Sequence, residues 1–162
     1  MLELLHIENI AIIEAADIEF APGFNALTGE TGAGKSTLVN LVCRFFEPTQ
    51  GRILIDGRDA RERSQLWLHS NIGYVLQTPH LFSGTVLENL RYGRPDATMD
   101  EIEAAVKAVS ADQIIARLPD GYNTMLTANG ANLSQGQRQL LSIARAAVAD
   151  PPVMILDEAN SS

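Results

Sequence analysis

The chain has 162 residues, of which 46% are hydrophobic and 20% are charged, and its formal net charge is −8. This composition predicts one domain with a buried core, and the acidic balance argues against a nucleic-acid partner, because neutralising phosphates requires surplus lysine and arginine. No apolar run is long enough to span a membrane and the N-terminal segment does not form a signal peptide. We therefore expect a soluble, cytoplasmic chain without direct membrane insertion.

The first half of the chain is predicted to alternate short strands with one helix. Strands are expected at residues 2–10 and 15–20 and within 22–29, followed by a helix after Lys35. The apolar face of this helix is predicted to comprise Leu38, Leu41, Val42, Phe45 and Phe46, and the helix to end at Pro48 and Gly51. Cys43 lies in the same apolar run and is expected to be a buried core thiol. Further strands are predicted at residues 52–57, ending in an Asp-Gly turn, and at 72–77.

From Thr78 onward the pattern becomes mainly helical. Helices are predicted within residues 84–93, 98–110, 111–118 and 134–149, and Thr85 with Glu88 and Thr98 with Glu101 predict capping boxes. Residues 151–158 form an almost wholly apolar strand, as expected of a parallel strand buried on both faces. The predicted fold is a single α/β domain over residues 1–162, with a mixed core at 1–77 and 150–162 and a helical subdomain at about 78–149.

A phosphate-binding loop is the strongest functional signal in the sequence. The pattern G-x-x-x-x-G-K-[ST] joins a predicted strand to a predicted helix, which is the context that such a loop requires. The candidate phosphate-binding residues are Gly29, Glu30, Thr31, Gly32, Ala33, Gly34, Lys35, Ser36 and Thr37. Lys35 is expected to reach the β- and γ-phosphates, and the Ser36 hydroxyl to bind Mg²⁺.

Acidic and amide side chains at two strand ends extend this prediction. Asp157 and Glu158 end the last apolar strand, where α/β sheets bind ligands. Asp157 suits Mg²⁺ and Glu158 suits polarising an attacking water. Gln77 ends the preceding strand, and its amide either contacts Mg²⁺ or water or simply caps a turn.

The segment at residues 132–139 permits two interpretations. Ser134 with Gln137 fits a capping box for the long helix. Gly136, in the first turn, weakens a helix by about 1 kcal/mol relative to alanine, which is useful where a ligand must approach the backbone closely. A helix N-terminus with a serine hydroxyl beside it would form a second phosphate cradle. From the residues alone the two interpretations are equally good.

Taken together, four segments resemble the ATP-binding cassette (ABC) ATPases. They are "GETGAGKST", "VLQTPHLFSGTVLENLRYG", "ANLSQGQRQLLSIARA" and "VMILDEANSS", and from about residue 36 to 162 the chain resembles the nucleotide-binding domain of an ABC exporter. The resemblance implies that the chain binds Mg·ATP and energises transmembrane export. It identifies Gln77 as the Q-loop glutamine, with catalytic and Mg²⁺-binding roles, and "LSQGQ" as the signature motif.

The resemblance also implies partners. The active unit would be a head-to-tail dimer with a second nucleotide-binding domain. In that dimer Ser134, Gly136 and Gln137 would contact the γ-phosphate of ATP bound to the other subunit. The segment "TPHLFSGTVLENL" corresponds to the surface that receives coupling helices of a transmembrane domain, and "TANGAN" corresponds to the X-loop of exporters.

The N-terminal 35 residues resemble a RecN-type repair ATPase, a relative of SMC heads, and suggest a chimera. A RecN/SMC-like DNA-repair head and a catalytically incomplete nucleotide-binding fragment are the alternative functions. The chain ends after "LDEANSS", so the aspartate and the switch histidine that follow this motif in exporters lie beyond its last residue. We therefore expect the isolated 162-residue chain to hydrolyse ATP weakly or not at all.

Base selectivity provides a first prediction. Exporters place a tyrosine between the first strands to stack on adenine, whereas the segment from Ile10 to Glu19 of this chain contains no aromatic residue. If triphosphate contacts dominate, ATP and GTP will bind with affinities within about threefold of each other. Isothermal titration calorimetry with both nucleotides measures this ratio, and a preference for ATP of a hundredfold or more would show that another side chain recognises the base.

Overall fold

The computed structural model describes residues 3–10, 13–19, 26–27, 35–75 and 78–156. The chain divides into two compact units, Met1–Gly73 with Pro151–Ser162 and Tyr74–Asp150. The fold is a mixed α/β fold, as predicted from the sequence. The assignment of residues 1–162 to a single domain remains a prediction.

The first unit is built on strands from two sheets. An antiparallel sheet has the order β2-β1-β4-β5, and a second sheet has the order β3-β9-β6, with β3 and β9 parallel. Within the described residues, two α-helices accompany the strands. The elements are β1 (Leu4–Ile10), β2 (Ile13–Glu19), β3 (Ala26–Leu27), α1 (Lys35–Val42), β4 (Arg52–Ile55), β5 (Arg58–Asp59), α2 (Gln65–Asn71), β6 (Ile72–Val75), whose last two residues belong to the second unit, and β9 (Val153–Leu156).

Alternation along β1 and β4 separates a buried face from a polar one. Leu5 is opposite Ile55 and Ile7 is opposite Ile53, and all four side chains are buried. Each such aliphatic side chain contributes about 1.5 to 3 kcal/mol on burial. On the other face Glu8, the residue after Ile7, accepts a 2.9 Å hydrogen bond from Nε of Arg52. Residues two positions apart along β1 and β4 therefore share the buried face of this sheet, and the strands predicted at 2–10 and 52–57 are confirmed.

Helix α1 ends earlier than the sequence predicted. It ends at Val42, and Phe45 and Phe46, which were assigned to its apolar face, are 50% and 65% exposed. Arg44 adopts a left-handed conformation with φ of 54°, its N–H donates to Leu41 O at 3.1 Å, and Phe45 N–H donates to Asn40 O at 2.8 Å. This pair of bonds is a Schellman motif, which ends the helix before the phenylalanines.

The prediction of a buried core thiol at Cys43 is confirmed. The side chain is 2% exposed, and burial raises the pKa of the thiol to about 11. The predicted Asp-Gly turn is also confirmed, since Asp56 and Gly57 have φ values of 50° and 72° between β4 and β5. These two positive φ values are those of a type I′ hairpin turn.

The second unit consists of helices around one apolar cluster. Its helices are α3 (Val86–Arg91), α4 (Met99–Ala108), α5 (Asp112–Ile115) and α6 (Gln135–Val148). Leu141, Ala144 and Val148 form the buried stripe of α6, with the spacing of an amphipathic helix. They pack in a cluster with Leu81, Val86, Leu90, Ile102, Val106, Ile115 and Leu126. Helix α3 lies against α6, and a Cβ at Gly93 would come within 2.3 Å of the Arg145 carbonyl oxygen, so glycine is required there.

The predicted capping boxes are confirmed at α3, α4 and α6. The sequence did not predict the short strand pair β7 (Gly84–Thr85) and β8 (Met125–Leu126), which is antiparallel. Two-residue strands are too short to produce a readable alternation of polar and apolar residues. Within the described residues, no helix is both long and apolar enough to cross a membrane.

The Schellman motif generates a prediction about stability. The Arg44 side chain donates to the carbonyls of Arg63 at 2.8 Å and Ala60 at 3.2 Å, and these bonds hold a non-glycine residue in a left-handed conformation. Arg44→Gly loses the bonds but removes the backbone strain, whereas Arg44→Ala loses the bonds and keeps the strain. We expect the alanine variant to be about 1 kcal/mol less stable than the glycine variant.

Urea unfolding of both variants and the wild type measures this difference. Both variants should be less stable than the wild type. An alanine variant as stable as the glycine variant would show that the backbone at this position carries no strain.

Candidate functional site

The predicted phosphate loop and the predicted acidic pair follow neighbouring parallel strands. Ala26 pairs with Met154 and Leu27 pairs with Ile155, so β3 and β9 end at the same edge of their sheet. The loop sequence follows β3, and Asp157 follows the last residue of β9. The carboxyl edge of parallel strands is where α/β folds bind ligands.

Several predicted site residues lie outside the described part of the chain. Lys35, Ser36 and Thr37 begin helix α1, and their backbone is helical. Those outside the described residues are Gly29, Glu30, Thr31, Gly32, Ala33, Gly34, Gln77, Asp157 and Glu158. Their assigned roles therefore remain predictions. In the part of the chain that the structure describes, no group of three or more His, Cys, Asp or Glu side chains is arranged to hold a metal ion.

The signature segment is described in full and begins α6. Ser134 is the N-cap, and its Oγ accepts a 3.2 Å hydrogen bond from Gln137 N–H. The Gln137 Oε1 in turn accepts a 2.8 Å hydrogen bond from Ser134 N–H. This reciprocal pair fixes the conformation of the first turn. The capping interpretation of this segment is thus confirmed, and a phosphate-binding role remains compatible with it.

The charge of this first turn differs from that of the other two helices that begin with a capping box. At α3 and α4 the reciprocal residue is an acid, Glu88 or Glu101, whereas at α6 it is the neutral Gln137. The first turn of α6 contains no acidic residue. A carboxylate would have compensated the positive end of the helix dipole. The α6 N-terminus therefore keeps its capping hydrogen bonds while its positive potential remains available to an anion from outside the chain.

The packing of the described residues does not require a glycine at position 136. A Cβ built on it meets no heavy atom of the described residues within 4 Å, and its φ is not in the left-handed range. Alanine would fit both the space and the backbone, and it would favour the helix by up to about 1 kcal/mol. Neither its conformation nor packing against the described residues requires a glycine here, and this arrangement is compatible with close approach by an external group.

The donors of this turn suit a phosphate. The backbone N–H groups of Gln135 and Gly136 precede the first intrahelical hydrogen bonds of α6 and have no partner within the helix. The capping box uses the Ser134 oxygen and the Gln137 carbonyl oxygen as acceptors, which leaves the serine O–H and the glutamine NH₂ as donors. Ser134, Gln135 and Gly136 are exposed. The turn thus offers exposed donors and contains no acidic residue.

The sequence did not reveal two side-chain contacts beside the signature turn. Arg138 donates a hydrogen bond to the Leu133 carbonyl, and Asn132 donates one to the Met125 carbonyl. An arginine in an amphipathic helix is usually a solvated surface charge, and an asparagine before a helix is usually a turn residue. Periodicity therefore gave no signal that either side chain holds another segment in place.

An aromatic surface overlaps residues 78–90, for which the sequence predicted a docking site for a transmembrane domain, and it also includes Tyr92 beyond that segment. Phe82 and Tyr92 have ring centroids 4.5 Å apart and are 39% and 68% exposed, and His80 packs edge-on to Phe82 at 5.8 Å. Arg145 of α6 stacks over Phe82 with 5.3 Å between its guanidinium carbon and the ring centroid. We name His80, Phe82 and Tyr92 the aromatic surface.

Buried Asn89 shapes the backbone that carries this surface. Its Oδ1 accepts from Phe82 N–H at 2.8 Å, and its amide donates to the carbonyls of Phe82 at 2.9 Å and Thr85 at 3.0 Å. The side chain is 3% exposed. A buried amide with three hydrogen bonds holds the loop between residues 82 and 85 in one conformation.

Comparison with known proteins identifies the family. The family model "ABC transporter" matches residues 18–161. YfiC of Bacillus subtilis, an uncharacterised ABC transporter ATP-binding protein, is 56% identical over 85% of this chain and 23% of its own length. A fatty acid ABC transporter ATP-binding/permease protein of Mycobacterium bovis is 52% identical over 85% of this chain and 22% of its own length.

A solved structure agrees with these relatives. A bacterial Atm1-family ABC exporter with ATP bound matches 99% of this chain and 30% of its own, with a TM-score of 0.83 and 34% identity. The chain spans about a quarter of the length of the curated relatives described above.

These matches do not support a chimera or a RecN-like N-terminus. The ABC transporter family model begins at residue 18, well inside the segment that was assigned to a repair ATPase. The structural match to an exporter covers 99% of the chain and so includes the N-terminal strands. The resemblance of the first 35 residues to RecN reflects a phosphate loop that both classes share. The chain belongs to the ABC transporter family and has exporter-type homologues.

Proposed function

We propose that this chain is the ATP-binding domain of an ABC exporter, which binds Mg·ATP and uses its hydrolysis to drive transport. The observation that carries the proposal is the first turn of α6, which is capped without an acidic residue and contains a glycine facing open space. An anion is the ligand that such a turn favours. The phosphate loop sequence supplies the second half of a nucleotide site.

The residues of the phosphate loop hold the triphosphate in this proposal. Lys35 donates to the β- and γ-phosphates, the loop N–H groups surround them, and the Ser36 hydroxyl, Gln77 and Asp157 bind the metal. Mg²⁺, when bound, neutralises charge on the phosphate oxygens. Glu158 orients and polarises the attacking water. The common edge of β3 and β9, from which both segments continue, supports this assignment.

The signature turn acts on the nucleotide of a second copy. Ser134, Gly136 and Gln137 direct their donors to the γ-phosphate of ATP bound to the phosphate loop of the partner domain, in a head-to-tail dimer. The exposure of this turn and its freedom from internal packing support a ligand from outside the chain. The shared site would make ATP binding and domain association one equilibrium.

A transmembrane domain is the second partner, and the chain works at the cytoplasmic face of the membrane. The name of the Mycobacterium bovis relative includes a permease, and the solved relative is an exporter. The aromatic surface supports docking of a protein segment, since exposed aromatic residues are typical anchors of interfaces. Asn89 and Arg145 hold this surface in a defined shape.

Removal of the phosphate-loop lysine tests nucleotide binding. We expect Lys35→Ala to weaken Mg·ATP binding at least about tenfold, because a hydrogen bond from a charged donor contributes about 1.5 to 3 kcal/mol. Calorimetry on the chain measures the affinity. Lys107→Ala is the matched control, since Lys107 is the other lysine of the chain, is exposed on α4, and makes no salt bridge in the described part. Equal loss in both variants would contradict the assigned role of Lys35.

Gly136→Ala is expected to raise the stability of the chain and to lower its ATP turnover. The methyl group meets open space, so we expect the free energy of unfolding to rise by about 0.5 to 1 kcal/mol. The same methyl occupies the space through which the partner's nucleotide approaches, so ATP turnover of the assembled transporter should fall at least about tenfold. Urea unfolding and a phosphate-release assay measure the two effects. Unchanged turnover in a stabilised variant would show that nothing approaches this glycine.

A further inference from the structure

The loop before the signature turn is closed by one asparagine. We name residues 127–133 the presignature loop. Asn132 Oδ1 accepts from Thr127 N–H and from the Thr127 hydroxyl, both at 3.2 Å, and the Asn132 amide donates to the Met125 carbonyl at 3.0 Å. These bonds tie the end of the loop to its beginning.

Arg138 reaches back from the second turn of α6 to this loop. Its Nη1 donates to the Leu133 carbonyl at 2.6 Å, and it lies 3.5 Å from the Gly130 carbonyl. The aliphatic part of the side chain packs over Gly130, where a Cβ would lie 3.3 Å from both Cγ and Cδ of Arg138 and 3.0 Å from Leu81. Gly130 also has φ of 62°, so glycine fits both the conformation and the space. The Arg138 side chain is thus held in place both by its packing against Gly130 and by the hydrogen bonds of its charged group.

The side chains of Gln137 and Arg138 both hold one peptide group, the former at its N–H and the latter at its carbonyl. The Leu133–Ser134 peptide donates its N–H to Gln137 Oε1 at 2.8 Å, and its carbonyl accepts from Arg138 Nη1 at 2.6 Å. The Leu133 side chain, 6% exposed, anchors the same peptide in the apolar cluster. The plane of this peptide determines where the chain enters α6. It therefore determines the position of the Ser134 hydroxyl and of the N–H groups that follow.

We propose that Arg138 is a positioning residue for the signature turn: by holding the Leu133 carbonyl it keeps the Ser134 side chain and the free N–H groups of α6 oriented for phosphate. This inference rests on the proposed function, since it assigns Arg138 to the same site. Arg138 acts through Ser134 and does not itself contact the nucleotide. Its charge also adds to the positive potential of the helix N-terminus.

The proposal predicts that turnover and nucleotide affinity respond differently to loss of the arginine. In the assembled transporter, Arg138→Met should lower kcat about tenfold, because the signature turn is no longer held for the closed dimer. The KM for ATP and the affinity of the chain for Mg·ATP should stay within about twofold, because the phosphate loop is unchanged. Arg138→Lys can still donate to one carbonyl and should recover kcat to within about threefold of the wild type.

Two further variants separate positioning from general effects. Arg117→Met removes the same charge from an exposed position of the same unit, where the described residues offer it no ion pair, and should change neither parameter. Asn132→Ser loosens the presignature loop but leaves the bond from Arg138 to the Leu133 carbonyl, so it should keep kcat within about twofold. If Arg138→Met does not fold, Arg138→Gln carries the same expectation, because that side chain is polar and helix-forming but too short to reach the carbonyl.

Three results would overturn the inference. They are a wild-type kcat in the folded Arg138→Met or Arg138→Gln variant, an equal loss of kcat in Asn132→Ser, and an equal loss in Arg117→Met. Thermal unfolding of each variant confirms that the compared proteins are folded. Lys35→Ala serves as the separate test of the proposed function: if it leaves Mg·ATP binding intact, the nucleotide assignment itself fails, whatever Arg138 does.

Discussion

The structure depends on how helix α6 begins. A helix N-terminus needs its first N–H groups satisfied, and an acidic residue in a capping box does part of this while it also compensates the helix dipole. The capping boxes of α3 and α4 use Glu88 and Glu101 in this way, but that of α6 uses Gln137. The neutral amide completes the capping box without placing a negative charge where a phosphate would bind. Gln137 thus completes the cap of α6 and leaves the positive end of the helix dipole available to a ligand.

The other elements of the second unit pack against α6 and hold it in place. The Leu141, Ala144 and Val148 stripe buries one face of α6 in the apolar cluster, and α3 approaches α6 so closely that Gly93 accommodates no side chain. Arg145 extends from the same helix to the ring of Phe82, and burial lowers the pKa of its guanidinium. Helix α6 therefore contacts the aromatic surface near its C-terminal end and carries the signature turn at its N-terminus. A 14-residue helix connects the two regions within one compact unit.

Local sequence rules predicted the features that depend on neighbouring residues. The strand that contains Leu5 and Ile7, the Asp-Gly turn and the three capping boxes follow from patterns among a few neighbouring residues, and the structure contains all of them. The phosphate loop and the signature were likewise readable as short patterns, although the structure leaves the phosphate-loop side chains undescribed.

Features that depend on contacts distant in sequence were not predictable in this way. The end of α1 at Val42 is stabilised by bonds from Arg44 to Ala60 and Arg63, and apolar periodicity alone extended the helix to Phe46. The capping bonds of Ser134 were readable, but the role of Arg138 required the fold of the presignature loop. Similarity of the N-terminal segment to a repair ATPase misled because short strands and a phosphate loop are common to both classes.

The central claim is that one ATP is shared between the phosphate loop of one copy and the signature turn of another. The most direct test uses mixed dimers that carry Lys35→Ala and Gly136→Asp, the latter placing a carboxylate before the phosphate, with trapped Mg·ATP counted per dimer. With the two substitutions on different copies, the account predicts one intact site and one trapped ATP. With both substitutions on the same copy opposite a wild-type copy, it predicts no intact site. One trapped ATP in the second arrangement and none in the first would contradict the shared site.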